Sequence, residues 1–320
     1  MDTIAILIPL YNEEKSLNSL LQELEYHCDN VSKRYGINFR IIFVDDGSTD
    51  KSLNIIKSME TFNLPIQVIS LSRNFGKEAA ISAGLNAGKD DSAVLIMDAD
   101  LQHPPKLINE LVKKFKTEEF DMVYAFKQSR KKEGFISQQF SNIFYSLINI
   151  NNRYNIPKNA GDFRILSKRV VNAILQLPEN ERFMKGLYAW VGYTKIGVPY
   201  MPEKRAHGKT FFSLWSLLFL SIDGITSFSV TPLRMMSIFG LVTSIFSAIY
   251  FLFIIFERLF LDTSTPGHAS IFVLISFFGG VQLLCLGIIG EYIGKILLES
   301  KRRPSYLIKE NLIISKGKIN

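Results

Sequence analysis

Cysteine is almost missing from this chain: Cys28 and Cys285 are the only two in 320 residues. That excludes a disulfide framework and a cysteine-built metal cluster, and it suits a reducing compartment. A basic stripe interleaved with aromatics is also missing. The net charge of +7 therefore does not point to nucleic acid, and a phosphate-bearing substrate or an anionic membrane surface accounts for it better. No G-x-G-x-x-G follows the first apolar run, which sets aside an ordinary NAD-dependent dehydrogenase. That run, just after Met1, is short and lacks a basic leader, so it is expected as a strand and not as a signal peptide. Long apolar stretches are absent from residues 1–210 and abundant in 211–298, which implies a soluble-type domain followed by a membrane part.

What is present in the first part is a repeated pattern. Residues 4–10, 39–44, 66–71 and 93–97 are apolar runs that read as buried strands. Between them lie helical stretches, the first with Leu17, Leu20, Leu21 and Leu24 on one stripe and Ser16 placed to cap it. The second is expected from Lys51 to about Phe62. The order β-α-β-α-β-α-β implies an α/β fold with a doubly wound parallel sheet. Every polar loop follows a strand, so the loops converge on the crevice at the carboxyl edge, where such sheets bind ligands.

The last of those strands ends in Asp98-Ala99-Asp100-Leu101-Gln102, and Pro104-Pro105 opens the next helix. Two carboxylates so placed repel each other unless something positive lies between them, and a divalent ion carrying a diphosphate is a natural occupant. The bland alternative is a solvated Asp-x-Asp turn. The other loops have bland readings too. Asp45-Asp46-Gly47-Ser48 can be an Asx turn, or its carboxylates can accept from a base N–H and ribose hydroxyls. Arg73 and Lys77 can be solvated charges, or can neutralise a diphosphate at a helix start. Four such loops on one edge favour the functional readings.

Five motifs occur in order: Ile8-Pro9-Leu10-Tyr11-Asn12-Glu13-Glu14, Val44-Asp45-Asp46-Gly47-Ser48-Thr49-Asp50, Arg73-Asn74-Phe75-Gly76-Lys77, Met97-Asp98-Ala99-Asp100-Leu101-Gln102 and Gly161-Asp162-Phe163-Arg164. The set resembles family 2 glycosyltransferases of the GT-A fold, a Rossmann-like nucleotide-diphospho-sugar transferase domain. Within them it is similar to the polyprenyl-phosphate enzymes: bactoprenol glucosyltransferases, undecaprenyl-phosphate aminoarabinose transferases and, more distantly, dolichol-phosphate mannose synthase. The resemblance covers nearly the whole chain. It implies that Pro9, Tyr11, Glu13, Asp45 and Asp46 hold the nucleoside, that Arg73 and Lys77 line the diphosphate, and that Asp98 contacts the nucleotide. It further implies that Asp100, with Asp98, ligates Mg²⁺ or Mn²⁺ and that Asp162 is the catalytic carboxylate. In Arg205-Ala206-His207-Gly208-Lys209-Thr210-Phe211-Phe212 the family's Arg and Gly are kept, but Phe211 and Phe212 stand where Lys and Tyr are usual. The cationic work toward the acceptor then falls to Arg205 with Lys209.

Glu181-Arg182-Phe183 and Trp190 read as packing near the acceptor side. Residues 127–133 are a basic loop, either solvated or facing anionic head groups. Residues 213–230 are apolar but broken by serines, and are expected as interfacial helices. Residues 235–256 and 269–290 carry no charge and are long enough to span a bilayer. The linker from Glu257 to His268 has Arg258 as its one Lys or Arg, whereas the tail is rich in both, so the tail is expected to be cytoplasmic. Residues 303–308 are expected to add a short strand back onto the soluble domain. The resulting division is a cytoplasmic transferase domain (1–210), interfacial helices (211–232), a two-helix transmembrane hairpin (233–298) and a cytoplasmic tail (299–320).

The expected activity is inverting, metal-dependent transfer of a sugar from a UDP-sugar such as UDP-glucose to undecaprenyl phosphate. The setting is the bacterial cytoplasmic membrane, with the product serving cell-envelope glycan modification and, by resemblance, a homo-tetramer as the assembly. Two readings compete. A processive polysaccharide synthase would show a Gln-x-x-Arg-Trp motif, which is absent. A non-enzymatic adaptor or lipid translocase would not need the full Asp-x-Asp set.

Overall fold

The computed structural model describes residues 2–59, 62–128, 156–157, 160–180, 182–201, 231–260, 268–315 and 318–319. The chain divides into two compact units. One comprises Met1–Tyr145, Arg153–Ser213 and Arg303–Asn320, the other Ser146–Asn152 and Leu214–Arg302.

The first unit is built on strands β1 (Thr3–Leu10), β2 (Asn38–Asp45), β3 (Ile66–Leu71), β4 (Ala93–Ile96), β5 (Met122–Lys127), β6 (Ala160–Ser167), β7 (Lys195–Tyr200), β8 (Ile308–Ser315) and β9 (Lys318–Ile319). Among the described residues they form one sheet in the order β7-β5-β6-β4-β1-β2-β3-β8-β9. The segment β4-β1-β2-β3 is parallel, as the alternating pattern predicts. Its strands are buried on both faces, which explains why β1 is apolar almost throughout, without alternation. The parallel rule stops at both ends. β6 runs antiparallel to β4 and β5, and β8 antiparallel to β3, so the sheet is mixed. The returning strand begins at Ile308, where the expected one ended.

Helices cover both faces. On one side α1 (Leu17–Tyr35) packs with α2 (Ser52–Lys57) and α4 (Leu107–Thr117). On the other, α3 (Lys77–Ala87) packs with α5 (Lys168–Leu175), and α6 (Met184–Trp190) lies on β6. α1 buries Leu17, Leu20, Leu21, Leu24, Cys28 and Val31, one stripe at helical spacing, and Gly36 closes it in the left-handed conformation. Cys28 is thus a core residue, and burial pushes its thiol up to about 12, which leaves it unreactive. Ser16 does not cap α1. Its backbone is already helical, and its hydroxyl turns back to donate to the Glu13 carbonyl and carboxylate. α2 is also shorter than its pattern suggests.

α3 is a helix of small residues, Ala79-Ala80 to Ala83-Gly84, because it lies close against β1 and β2. A β-carbon at Gly84 would fall 1.9 Å from Leu7 Cδ1. Any larger residue there would have to displace the buried Leu7 side chain or α3 itself.

The second unit contains α7 (Thr231–Phe260) and α8 (His268–Ser300), which contact each other. Both are long and apolar enough to cross a membrane. Their apolar side chains stand exposed, Phe246 and Leu283 among them. Residues 213–230, the stretch expected as interfacial helices, lie outside the described residues, as does most of the basic loop 127–133.

Candidate active site

The parallel strands deliver their loops to one edge, and strand order reverses there between β1 and β4, the position where α/β sheets open a crevice. Two groups of residues meet at that edge.

The first group is a set of interlocked loops. After β1, Asn12 adopts a left-handed backbone (φ 58°), and its side-chain oxygen accepts from the Thr49 N–H at 2.8 Å. The Asn12 and Glu13 N–H groups donate to the Ser48 and Ser52 hydroxyls, and Glu14 N–H donates to Asp50. After β2, Asp45 accepts from the Ser48 N–H and the Ser70 hydroxyl. Asp46 accepts from both the Phe75 and Gly76 N–H groups, at 2.7 and 2.9 Å. Burial pushes the Asp46 carboxyl up, and those two donors oppose it. Both aspartates are nearly inaccessible, so in this structure they hold the loops in register. Of the other residues expected to hold a nucleoside, Pro9 is buried in β1, while Tyr11 is 46% exposed at the rim. Arg73 lies over the Phe75 ring, 4.0 Å from its centre, and donates to the Asn74 carbonyl.

The second group holds the charges. β4 and β6 pair with Ile96 opposite Arg164. Continuing that register by two residues sets Asp98 across from Asp162. Like charges directly opposite on neighbouring strands are destabilising. Lys77, the first residue of α3, supplies the counter-charge: its ammonium lies 2.5 Å from Asp98 and 2.8 Å from Asp162. Burial pulls the Lys77 ammonium down, but the two carboxylates overcome it and hold it protonated. Burial likewise pushes Asp162 up, and Lys77, Lys185 and Arg164 bring it down to about 2. Asp162 is therefore ionised at neutral pH, and its Oδ1 is buried with no hydrogen-bond partner among the described residues. Asp162 stands inside β6.

Asp100 accepts from the Gln102 N–H at 3.1 Å and from its side-chain amide at 2.8 Å. Leu101 between them has φ 59°, a costly conformation for leucine and one that concentrates at functional sites. Among the described residues no three His, Cys, Asp or Glu side chains gather to hold a metal ion. Asp98 and Asp100 alone do not make a closed cage. They fit a hard ion such as Mg²⁺ or Mn²⁺ that keeps waters and shares ligands with a diphosphate.

Sequence reasoning gave no role to three neighbours. His103 is buried, stacks on Phe163 and accepts the Asp98 N–H at its Nδ1. Burial pulls its ring down, so it is neutral and positions the Asp98 loop. Glu78 accepts from the Met184 N–H at 3.2 Å, and burial beside Asp162 pushes it up to about 7. Lys185, on α6, brings positive charge to Asp162. Glu78 adjoins Lys77 in a motif, which was a usable signal; nothing in the spacing announces His103 or Lys185. Arg182 donates to the Leu177 and Glu179 carbonyls, whereas Trp190 is 55% exposed rather than packed. Arg205 and Lys209 lie outside the described residues.

The sequence model described as glycosyl transferase family 2 matches residues 5–175. An uncharacterized glycosyltransferase of Synechocystis sp. is 44% identical over 307 residues, covering 96% of this chain and 95% of its own. The bactoprenol glucosyl transferase of Shigella phage SfV is 38% identical over 306 residues, covering 96% and 98%. Among solved structures, glucosyl-3-phosphoglycerate synthase from Mycobacterium tuberculosis is similar with a TM-score of 0.45 and 19% identity, over 71% of this chain and 79% of that one.

Proposed function

The chain belongs to glycosyl transferase family 2, and from that premise we propose that it moves a sugar from a UDP-sugar such as UDP-glucose onto a membrane polyprenyl phosphate such as undecaprenyl phosphate. The observation that carries this reading is the likeness to bactoprenol glucosyl transferases over 96% of the chain, apolar helices included. We place the protein in the bacterial cytoplasmic membrane, with α7 and α8 crossing it.

The nucleoside lies at the Tyr11, Glu13 and Asp45 end of the edge, with Pro9 and Asp46 shaping it from beneath. The diphosphate lies toward Arg73, Lys77 and Asp98. A Mg²⁺ or Mn²⁺ ion held by Asp98 and Asp100 would offset charge building on the departing diphosphate. The reaction is a single displacement. An acceptor phosphate oxygen forms a bond to the anomeric carbon, and the bond from that carbon to the diphosphate oxygen breaks, its electron pair leaving with the nucleotide. A phosphate monoester has its second pKa near 6 and is largely dianionic at pH 7, so it scarcely needs a base. Asp162, held at about 2, is then too weak a base to be useful as one. Its charge orients the acceptor and holds Lys77 between the two strands. Arg205, with Lys209, serves the acceptor side.

The test offers the purified protein a panel of nucleotide sugars with undecaprenyl phosphate and identifies lipid-linked sugar by mass spectrometry. One UDP-sugar is expected to give product, and chelation or Asp100→Ala to abolish it while the protein stays folded. Absence of product from every donor, or full activity of Asp100→Ala in excess chelator, counts against the reading.

A further inference from the structure

The returning strand β8 meets β3 at the end where β3 delivers its loop to the site. The pairing runs antiparallel from Ile66↔Ile314 to Ser70↔Glu310 and then shifts, so that Leu71 stands opposite Ile308. Lys309 is thereby left as an extra residue, of the kind that bends a strand at a bulge and is over-represented beside active sites. Past the shift, β8 reaches the loop itself. The Ser72 N–H donates to the Leu307 carbonyl at 2.9 Å. Ser72 adjoins Arg73, the residue expected to meet the diphosphate.

That loop depends on such anchors. Ser72, Arg73 and Asn74 are exposed, so burial does not fix them. At its far end the Phe75 and Gly76 N–H groups donate to Asp46, and Gly76 passes directly into α3, whose first residue is Lys77. At its near end the Leu307 carbonyl holds Ser72. The same end of β3 carries Ser70, opposite Glu310, and the Ser70 hydroxyl donates to Asp45 at 3.0 Å. β8 therefore braces, from the outer side, the strand end on which the Asp45 and Arg73 loops both rest. β8 in turn is anchored away from the loop. Leu312 packs against the core opposite Val68, and Ile314 is buried. The Gln67 amide donates to the Asn311 side chain, and Lys57 pairs with Glu310.

We propose that β8 is a positioning element of the donor site: by holding Ser72 it sets where Arg73 stands, so that docking of β8 on β3 and binding of a nucleoside diphosphate favour each other. The chain enters β8 from α8 through residues 301–307, so the segment that returns from the apolar helices is the one that sets the donor loop. Leu307 acts through its backbone and Arg73 through its charge, which is why no motif in the tail announces the role. Coupling of this kind is reciprocal: whatever β8 does for the nucleotide, the nucleotide does for β8. The inference rests on the proposed placement of the diphosphate at Arg73 and deepens it.

Reciprocity allows a test on the full-length wild type. Amide hydrogen exchange is followed with and without saturating UDP and Mn²⁺. Exchange in residues 304–315 should slow by about fivefold or more. It should slow more than exchange in β7, at the opposite edge of the sheet, which reports the general stabilisation that any ligand confers. A second arm loosens β8 far from the loop. Leu312→Asp sets a carboxylate against the core, and Leu312→Val keeps an apolar contact. In a Leu312→Asp protein shown by thermal melting to be folded, UDP affinity by calorimetry should fall about fivefold or more, and the donor KM should rise to match. kcat and the acceptor KM should stay near wild type, and Leu312→Val should bind UDP as wild type does. Unchanged exchange in residues 304–315 of wild type with UDP bound overturns the inference, whether or not Leu312→Asp folds. Wild-type UDP affinity in folded Leu312→Asp overturns it as well. Failure of wild type to bind UDP is a different result: it removes the donor placement itself, and this inference with it.

Discussion

At the scale of single residues, the site is a problem of like charges on adjacent strands, and Lys77 is its solution. Removing that ammonium would leave Asp98 and Asp162 facing each other across β4 and β6. Glu78, the next residue, carries the one carboxyl of this group pushed into the physiological range. It faces Asp162, Lys77, Lys185 and Arg164, and among the described residues it accepts from the Met184 N–H. Its ordinary value is 4.5 and its folded value about 7. A carboxyl raised on folding contributes stability that is fully present below pH 4.5 and is lost as the pH rises through 7. Glu78→Gln keeps the neutral shape. Thermal melts of wild type and Glu78→Gln should therefore coincide near pH 5 and separate above pH 7, the variant being more stable by at most ~3 kcal/mol. Parallel curves from pH 5 to 8.5 would show that Glu78 does not titrate in this range.

At the scale of elements, the loops matter more as a lattice than as separate motifs. Gly47 has φ 72°, and a β-carbon there would stand 2.6 Å from the Arg73 carbonyl carbon. Gly47→Ala should cost about 1–3 kcal/mol from backbone strain and displaced packing. Because the displaced segment is the one carrying Arg73, UDP affinity should fall as well, by about tenfold or more. Calorimetry on the folded variant checks this, and an unchanged affinity would detach the Arg73 loop from the donor. The parallel half of the sheet was legible because buried strands and polar loops alternate plainly from Ile4 to Met97. The antiparallel insertion of β6 between β4 and β5 was not. Strand order depends on long-range pairing, and the buried Phe163, Ile165 and Leu166 of β6 carry no sign of the direction in which the strand runs. The same blindness hid the pairing of Asp98 with Asp162 through Lys77. Each residue lay in a recognisable motif, but the ion pair is created by register. Ser16 misled because a serine before an apolar stripe signals a cap only when the backbone there is extended, and Glu13 draws this one into the helical turn. Cys28 could have been read as core, since it continues the Leu17–Leu24 stripe at helical spacing.

At the scale of the whole molecule, β8 constrains how the chain can relate to a membrane. It follows the two apolar helices in sequence, yet it pairs with β3 from Ile66↔Ile314 to Ser70↔Glu310, and Lys57 pairs with Glu310. A strand that belongs to the sheet of the first unit must lie on the same side of any bilayer as that sheet. The chain between Tyr200 and Ile308 must then cross an even number of times, which is an argument from connectivity alone. Two crossings, by α7 and α8, meet it. Three crossings, with residues 213–230 also spanning, do not. The charge bias agrees, with Arg258 the one Lys or Arg in the linker and Lys301, Arg302 and Arg303 following α8. The prediction uses single-cysteine probes in a background with Cys28 and Cys285 replaced. A membrane-impermeant thiol reagent added to intact cells should label a cysteine at Ser264 and leave one at Ser305 unlabelled until the cells are opened. Labelling at Ser305 from outside would require either that the sheet lies outside the membrane or that β8 leaves it. A second probe at the exposed Tyr26 separates those outcomes, because it reports the side of the sheet independently of the tail. Protection of both Ser305 and Tyr26 with labelling of Ser264 is the pattern required jointly by a two-crossing hairpin, an intact β3–β8 pair and a sheet on the inner side; the reverse pattern would keep the hairpin and the pair but invert the sidedness.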